Sequence, residues 1–284
     1  MSAGRAVRPG TLAAAGAAVK GFARSYAALF RLTWSEMLQY RAAVFLWTLW
    51  SLGAPIVHLS VWSAIAEAEG TLGWYDRGGI AAYFLVQSVV YHFTSAWQAY
   101  DFSYLIRTGT LSTRLLRPFD PSHYLVVNNV AFKGINLIWL VPIWVAMYLY
   151  YRPSLDFSSE RIALFALALA GAAALQFLWA QAWAMIAFWT VRVSAYYEFA
   201  DAIGYFIGGG LAPVGLLPEA LRALSPWLHY YYVFGFPIEV AIGAVPIGEV
   251  WAGLMRTALW SIAYFALYRA LWRRGVARFS AVGA

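Results

Sequence analysis

The side chains that could carry out chemistry are few in this sequence, and their spacing is not that of a catalytic site. There is no cysteine, which excludes disulfides, thiolate metal sites and a cysteine nucleophile. No phosphate-binding Gly-x-x-x-x-Gly-Lys-Ser/Thr segment occurs, so ATP is not bound in the P-loop way. No two histidines have the three- or four-residue spacing that places metal ligands on one helix face. The four histidines are His58, His92, His123 and His229. We therefore predict no catalytic residue, no metal site and no cofactor on this chain.

Six long apolar runs must position whatever chemistry the chain has. The sequence is 62% hydrophobic and 12% charged, about half the charge of a soluble domain. Runs of about 20 apolar residues indicate transmembrane helices. We predict an all-α integral membrane protein in which residues 1–20 form a flexible cytoplasmic arm and residues 21–284 form one transmembrane domain. The six spans lie near residues 42–66, 79–104, 124–151, 162–191, 197–217 and 248–272.

The distribution of Lys and Arg predicts the orientation of these spans. Most of the 20 basic residues lie in the N-terminal segment, the second and fourth loops and the C-terminal tail. The opposite loops hold only Arg77, Arg152, Arg161 and Arg222. Because basic loops stay in the cytoplasm, both termini are predicted to be cytoplasmic.

Two segments outside the spans have a recognisable pattern. Residues 21–41 place aromatic side chains on one helix face and arginines on the other, which is typical of an interfacial helix. The alternative is a simple extension of the first span. Between spans five and six, Pro218–Ile247 consists of short apolar pieces broken by Pro and Gly. These pieces predict short re-entrant helices on the outer side.

The second loop is the most specific local feature. It predicts a short helix that starts at Gly109 or Thr110 and ends at Pro118. Leu111 and Leu115 share one face of this helix, with arginines nearby. Such a helix suits docking in a groove of another protein, and the alternative is a loop whose arginines bind lipid phosphates.

The same loop carries a resemblance to a known family. Residues 106–118, IRTGTLSTRLLRP, resemble the first cytoplasmic loop of ABC-2 type transporter permeases, and in particular a bacterial subfamily with the pattern I-R-x-G-x-L-x-x-x-L-L-R-P. Residues 210–243 are similar to the family's region between spans five and six, and the tail RRGVARFSAVGA also fits. The resemblance extends over nearly the whole chain from about Phe22.

The resemblance implies a half-transporter in the bacterial cytoplasmic (inner) membrane. ABC ATPase subunits, which carry ATP and magnesium, would dock beneath two permease chains, with a heterodimer favoured and a homodimer possible. The expected function is export of a small or drug-like molecule. The alternatives are a permease for a lipid-linked glycan or polymer, or a membrane-embedded enzyme or scaffold. The ATPase-coupling loop would comprise Ile106, Arg107, Gly109, Leu111, Leu115, Leu116, Arg117 and Pro118.

Spans two and five line the pathway in the resembled family, so their aromatic residues and glycines are the candidate pathway residues. Aromatic ring faces attract cations, and glycines let another helix or a substrate approach closely. The alternative for the glycines is packing within one subunit. The candidates are Tyr91, Trp97, Tyr100, Tyr205, Phe206, Gly208, Gly209 and Gly210.

Two basic residues fall inside spans. Lys133 either faces the pathway and pairs with Glu198 or Asp201, or extends toward the cytoplasmic interface. Arg256 is expected to extend outward or to pair with an acidic group such as Glu249, rather than to hold substrate.

Overall fold

A computed structural model describes residues 9–73, 75–117, 120–190 and 192–279. These residues form twelve α-helices joined by short turns and contain no β-strand, as the predicted all-α class requires. The helices are α1 (Pro9–Gln39), α2 (Arg41–Glu69), α3 (Arg77–Thr94), α4 (Gln98–Arg107), α5 (Thr110–Leu115), α6 (Pro121–Tyr151), α7 (Ser159–Met185), α8 (Val193–Ile207), α9 (Glu219–Leu224), α10 (His229–Val233), α11 (Gly235–Ala241) and α12 (Ile247–Val276).

Four helices in the described part of the chain are long and apolar enough to cross a membrane. They are α2, α6, α7 with the turn that follows it, and α12, and each has 29 to 31 residues. A 30-residue helix is about 45 Å long, which exceeds the hydrocarbon core of about 30 Å. The protein is therefore a multi-pass membrane protein.

The second and fifth apolar runs are not single long helices. The second is divided into α3 and α4, with Ser95, Ala96 and Trp97 between them. The fifth is the 15-residue α8, followed by the irregular segment that begins at Gly208. Hydrophobicity alone does not reveal these breaks, because the runs remain predominantly apolar across them.

The N-terminal helix is longer than the interfacial helix expected at residues 21–41. It begins at Pro9, so residues 9–20 continue the same helix, while residues 1–8 lie outside the described part. Its aromatic face packs against α6. Tyr26 Oη lies 2.5 Å from His123 Nδ1, and the ring of Trp34 lies over Gly134.

Helix α7 forms the centre of the packing. It contacts α12 along its length and also touches α3, α4, α10 and α11. Alanines 168 and 172 are fully buried on it. A Cβ at Gly171 would lie 3.2 Å from Thr257 Cγ2 of α12. Small residues at this interface let the two helices approach closely, as in other membrane proteins.

The basic segments gather at one end of this bundle. Arg269 near the end of α12 pairs with Asp120 at 3.9 Å, and Tyr268 shares a hydrogen bond with Ser122 at 2.8 Å. The loops at 70–78 and 152–158 lie at the opposite end, where the Ser154 amide donates to the Gly78 carbonyl at 3.1 Å.

The glycine run after α8 is enclosed by the chain itself. The Gly208 carbonyl accepts a hydrogen bond from the Gly235 amide at 2.7 Å. The carbonyls of Gly209 and Gly210 accept from Tyr83 Oη at 2.7 Å and from Gln87 Nε2 at 2.5 Å. All three glycines are buried. This geometry favours packing within one subunit.

We expect Gly209→Ala to destabilise the protein by about 2 kcal/mol, because a left-handed backbone is unfavourable for alanine. Gly209 has φ of +96°, and a Cβ there would lie 2.8 Å from Tyr83 Oη. The matched control is Gly248→Ala, where a Cβ meets no atom within 4 Å. The midpoint of thermal unfolding in detergent should fall for the first variant only, and equal midpoints would contradict the packing role.

Candidate functional site

The break between α3 and α4 is the most unusual feature of the bundle. A helix that stops inside a packed bundle frees carbonyl groups, and those that are buried need hydrogen-bond donors. Here polar side chains from three other positions and from the break itself satisfy them. The pairs are Ser95 Oγ to the His92 carbonyl (2.9 Å), Lys133 Nζ to the Phe93 carbonyl (2.6 Å), Asn129 Nδ2 to the Ser95 carbonyl (3.3 Å) and Tyr197 Oη to the Ala96 carbonyl (2.8 Å).

Lys133 caps the Phe93 carbonyl. This role differs from both expectations for Lys133, which were a position in the pathway and an extension toward the cytoplasmic interface. Its ammonium group donates to a backbone carbonyl, and it forms no ion pair with Glu198 or Asp201. The carbonyl of Lys133 itself lies 3.1 Å from His92 Nε2. Helix α6 therefore holds the end of α3 through both a side chain and its backbone.

A cavity of about 200 Å³ lies beside this break. Its lining is aromatic on several sides and carries one carboxylate, that of Asp201. Asp201 Oδ1 accepts a hydrogen bond from Gln176 Nε2 at 3.0 Å. The aromatic lining residues are Tyr91, Trp97, Tyr100, Tyr197 and Phe234.

The cavity contains a carboxylate that has no cationic partner among the described residues. Among the described residues, Asp201 has no basic partner within 4 Å. One helical turn before it, Glu198 accepts a hydrogen bond from Tyr100 Oη at 2.8 Å. Aromatic faces and an unpaired carboxylate together attract a positively charged group.

A second cavity of about 230 Å³ lies next to the first, toward α5. Trp97 lines both cavities. It contains the carboxylate of Asp101 and the guanidinium of Arg114. The Trp97 ring packs edge-on against Phe132 at a centroid distance of 5.0 Å. Trp97 is therefore the side chain shared by the two spaces.

Helix α5 fixes the loop between α4 and α6. Gly109 starts it with φ of +71°, a conformation that favours glycine. Leu111 is fully buried in a cluster with Phe102 and Met185, whereas Leu116 is 86% exposed. The Arg114 guanidinium lies 4.1 Å from the centre of the Tyr124 ring. The loop thus anchors itself through Leu111 and presents Leu116 outward.

A family model described as "ABC-2 family transporter protein" matches residues 52–283. The chain belongs to this family. The match begins within α2, so α1 lies outside it, although the resemblance was expected from about Phe22. No curated protein and no solved structure matched the chain. Members of the ABC-2 family are membrane subunits of transport rather than enzymes, and they normally work with ABC ATPase subunits.

The structure of this ABC-2 chain brings together three of the eight candidate pathway residues. Tyr91, Trp97 and Tyr100 line the first cavity. Tyr205 lies behind them, with its ring 5.9 Å from that of Tyr91 and its hydroxyl bonded to Gln87. Phe206 is 42% exposed on the other face of α8.

Of the predicted coupling-loop residues, the exposed ones are Arg107, Leu116 and Arg117. Ile106, Gly109 and Leu115 are partly buried, and Leu111 is buried completely. The expected docking face of Leu111 and Leu115 is therefore directed into the ABC-2 chain itself. Pro118 lies outside the described residues.

Seven of the ten residues that line the cavity were absent from the predicted site, and the polar ones on α7 and α8 are Gln176, Tyr197 and Asp201. Tyr197 and Asp201 are four residues apart on α8, and that spacing places them on one helix face. Gln176 is one of two glutamines in the apolar part of α7, the other being Gln181. Those two signals were present in the sequence. The described residues contain no group of three His, Asp or Glu side chains placed to hold a metal ion.

We expect Tyr197→Phe to destabilise this ABC-2 chain, because it leaves the Ala96 carbonyl without a donor at the helix break. An unsatisfied buried carbonyl costs about 1 to 3 kcal/mol. Tyr196→Phe is the matched control, since Tyr196 is exposed. Thermal unfolding in detergent measures both, and an equal effect of the two substitutions would contradict the capping role.

Proposed function

We propose that this chain is the membrane-spanning permease subunit of an ATP-driven ABC exporter. It moves a small cationic or aromatic molecule out of the cytoplasm, and a separate subunit hydrolyses ATP. The observation that carries the proposal is the aromatic cavity with the unpaired carboxylate of Asp201, which lies next to a broken helix. The cavity volume of about 200 Å³ favours a small cargo over a lipid-linked glycan or polymer.

The proposed topology has six spans with both termini in the cytoplasm of a bacterial cell. The α3–α4 pair is the second span, and α8 with the glycine segment is the fifth. The contacts of Arg269 with Asp120 and of Tyr26 with His123 support it, because they place the basic segments on one side. Helices α9, α10 and α11 are then the outer re-entrant elements, and α1 lies along the cytoplasmic interface.

A second permease chain completes the proposed pathway. One face of α8 exposes Phe199, Ile203 and Phe206, which recur at the spacing of one helix face. The opposite face carries Tyr197 and Asp201 into the cavity. A second chain packed on the exposed face would place the cavity next to the subunit interface. The resemblance favours a heterodimer. A homodimer would also need a second chain packed on this exposed face of α8.

The proposed coupling element is the α5 loop. Its exposed side includes Arg107, Leu116 and Arg117, while Leu111 ties it to α4 and α7. An apolar side chain flanked by arginines suits a groove with acidic edges. A docked ATPase would therefore contact Leu116 and move α4 through the buried anchor.

We expect Leu116→Asp to abolish co-purification of the ATPase while the permease still inserts and folds. A carboxylate buried without a partner in an apolar groove costs several kcal/mol. Leu224→Asp is the matched control, because Leu224 is also exposed and lies on α9, outside the coupling loop. Pull-down from membranes that contain the complex measures both. Retention of the ATPase by the Leu116 variant would overturn the coupling assignment.

We expect Asp201→Asn to weaken the binding of an aromatic cation such as ethidium by about tenfold, because charges about 4 Å apart near a protein surface attract each other by about 1 to 4 kcal/mol. Fluorescence anisotropy on the complex in nanodiscs measures the dissociation constant. Asp156→Asn is the matched control, because Asp156 is exposed on a loop and the asparagine Oδ1 can still accept from the Ser158 amide. Equal affinities of the two variants would refute a cation site at the cavity.

A further inference from the structure

Arg256, on the surface of α12, is a charged residue that has no part in the proposed transport. Arg256 lies nine residues after the start of α12, which is about 13 Å along the helix. The row of residues beside it is apolar and exposed, and includes Trp251, Met255 and Leu259. A guanidinium group at such a depth and on such a surface needs an anionic or polar partner.

The described part of the chain supplies few hydrogen-bond acceptors and no anion for the Arg256 guanidinium. Arg256 forms no ion pair with any described residue, so the expected pairing with Glu249 is absent. The guanidinium instead donates to Tyr232 Oη at 3.4 Å. That hydroxyl in turn donates to the Pro226 carbonyl at 2.7 Å. The phenol positions the guanidinium, and most of the five N–H donors of an arginine remain available.

A cavity of about 300 Å³ lies against this guanidinium, at the lower end of the usual range for small-molecule sites, about 300 to 1,000 Å³. Its other walls are apolar or aromatic, and Trp227, which forms one of them, is 77% exposed. The lining residues are Pro226, Trp227, Tyr232, Arg256, Leu259 and Trp260. The site therefore offers one fixed positive charge and an apolar surface for a chain.

We infer that this cavity binds the headgroup of an anionic phospholipid. Arginine binds phosphate oxygens through paired N–H donors, and tryptophan and tyrosine rings prefer the headgroup region of a bilayer. The exposed row along α12 would hold the acyl chain. A soluble anion would find no second cation here, since Arg256 is the only charged residue among the described residues that line the cavity.

Membership in a membrane family is sufficient for this inference, which does not depend on the exported cargo. On the proposed topology the cavity faces the outer leaflet, because Trp227 belongs to the segment between α8 and α12. A lipid held there would fix the α9–α10 segment to the side of α12.

The test is photo-crosslinking of the complete transporter in nanodiscs. Two photoactivatable lipids with identical acyl chains are compared, phosphatidylglycerol and phosphatidylcholine, and labelled peptides are identified by mass spectrometry. We expect phosphatidylglycerol to label the peptides around Trp227 and Leu259 about fivefold more strongly, the preference that one basic residue near a membrane surface gives. Equal labelling by the two lipids would overturn the inference.

Substitutions distinguish the contribution of the Arg256 charge to lipid labelling from that of the surrounding apolar surface. Arg256→Gln should reduce the preference to about equal labelling, and Arg256→Lys should retain part of it. Arg222→Gln is the matched control, because Arg222 is an exposed arginine on nearby α9 that does not line the cavity. Trp227→Ala, at an exposed position, should lower the labelling yield without changing the unfolding midpoint.

Two further outcomes would argue against a lipid site. Displacement of the label by excess inorganic phosphate would make it a site for soluble anions and would contradict the lipid. Absence of any label at these peptides with both lipids would show that lipid does not enter the cavity and would also contradict the inference. An unchanged lipid preference in Arg256→Gln would equally refute the role of the guanidinium.

Discussion

The need to satisfy backbone carbonyls at the break between α3 and α4 organises the centre of this protein. A buried carbonyl without a donor costs about 1 to 3 kcal/mol, so each carbonyl freed at the break needs a partner. Lys133 and Asn129 of α6 and Tyr197 of α8 meet that requirement. Because these side chains must reach one point, α6 and α8 are both held against the break. The cavity of Asp201 lies beside it and is lined by residues of α3, α4, α7 and α8.

Close packing elsewhere makes this arrangement possible. The chain fits large aromatic rings against α12 by leaving glycine beneath them. A Cβ at Gly253 would lie 2.2 Å from Phe236, and one at Gly275 would lie 2.1 Å from Phe188. With α7 supplying alanines on the other side, the bundle remains dense although two of its apolar runs are irregular.

The sequence predicted the helical class and the long helices, because those properties depend on average hydrophobicity over about 20 residues. The family was predicted from the resemblance of the loop at residues 106–118 and of residues 210–243. The sequence did not predict the break at Ser95–Trp97, since no proline or glycine marks it and the donors that stabilise it lie far along the chain. Periodicity placed Leu111 and Leu115 on one face of α5, but it could not show which way that face points. The direction is decided by Phe102 and Met185, which bury Leu111. Leu116 is exposed instead and points away from the chain.

The position of Trp97 connects the two ends of the proposed transport cycle. Trp97 immediately precedes α4, and α4 leads through Gly109 into α5, whose buried Leu111 packs back on Phe102 of α4. The two helices therefore move as a unit when α5 is displaced. Trp97 lies at the end of the α4–α5 unit that is farthest from α5. Its side chain lines both the cavity of Asp101 and the cavity of Asp201. The Ser95 amide bonds back to the Tyr91 carbonyl of α3, and the Trp97 carbonyl accepts from the Asp101 amide of α4, so these helical hydrogen bonds end on either side of the break and do not cross it. The carbonyls of Ser95 and Ala96 are held from outside by α6 and α8. On the proposed coupling, a docking event at the loop would thus be transmitted to Trp97, whose indole ring lines both cavities, while the capped end of α3 stays in place.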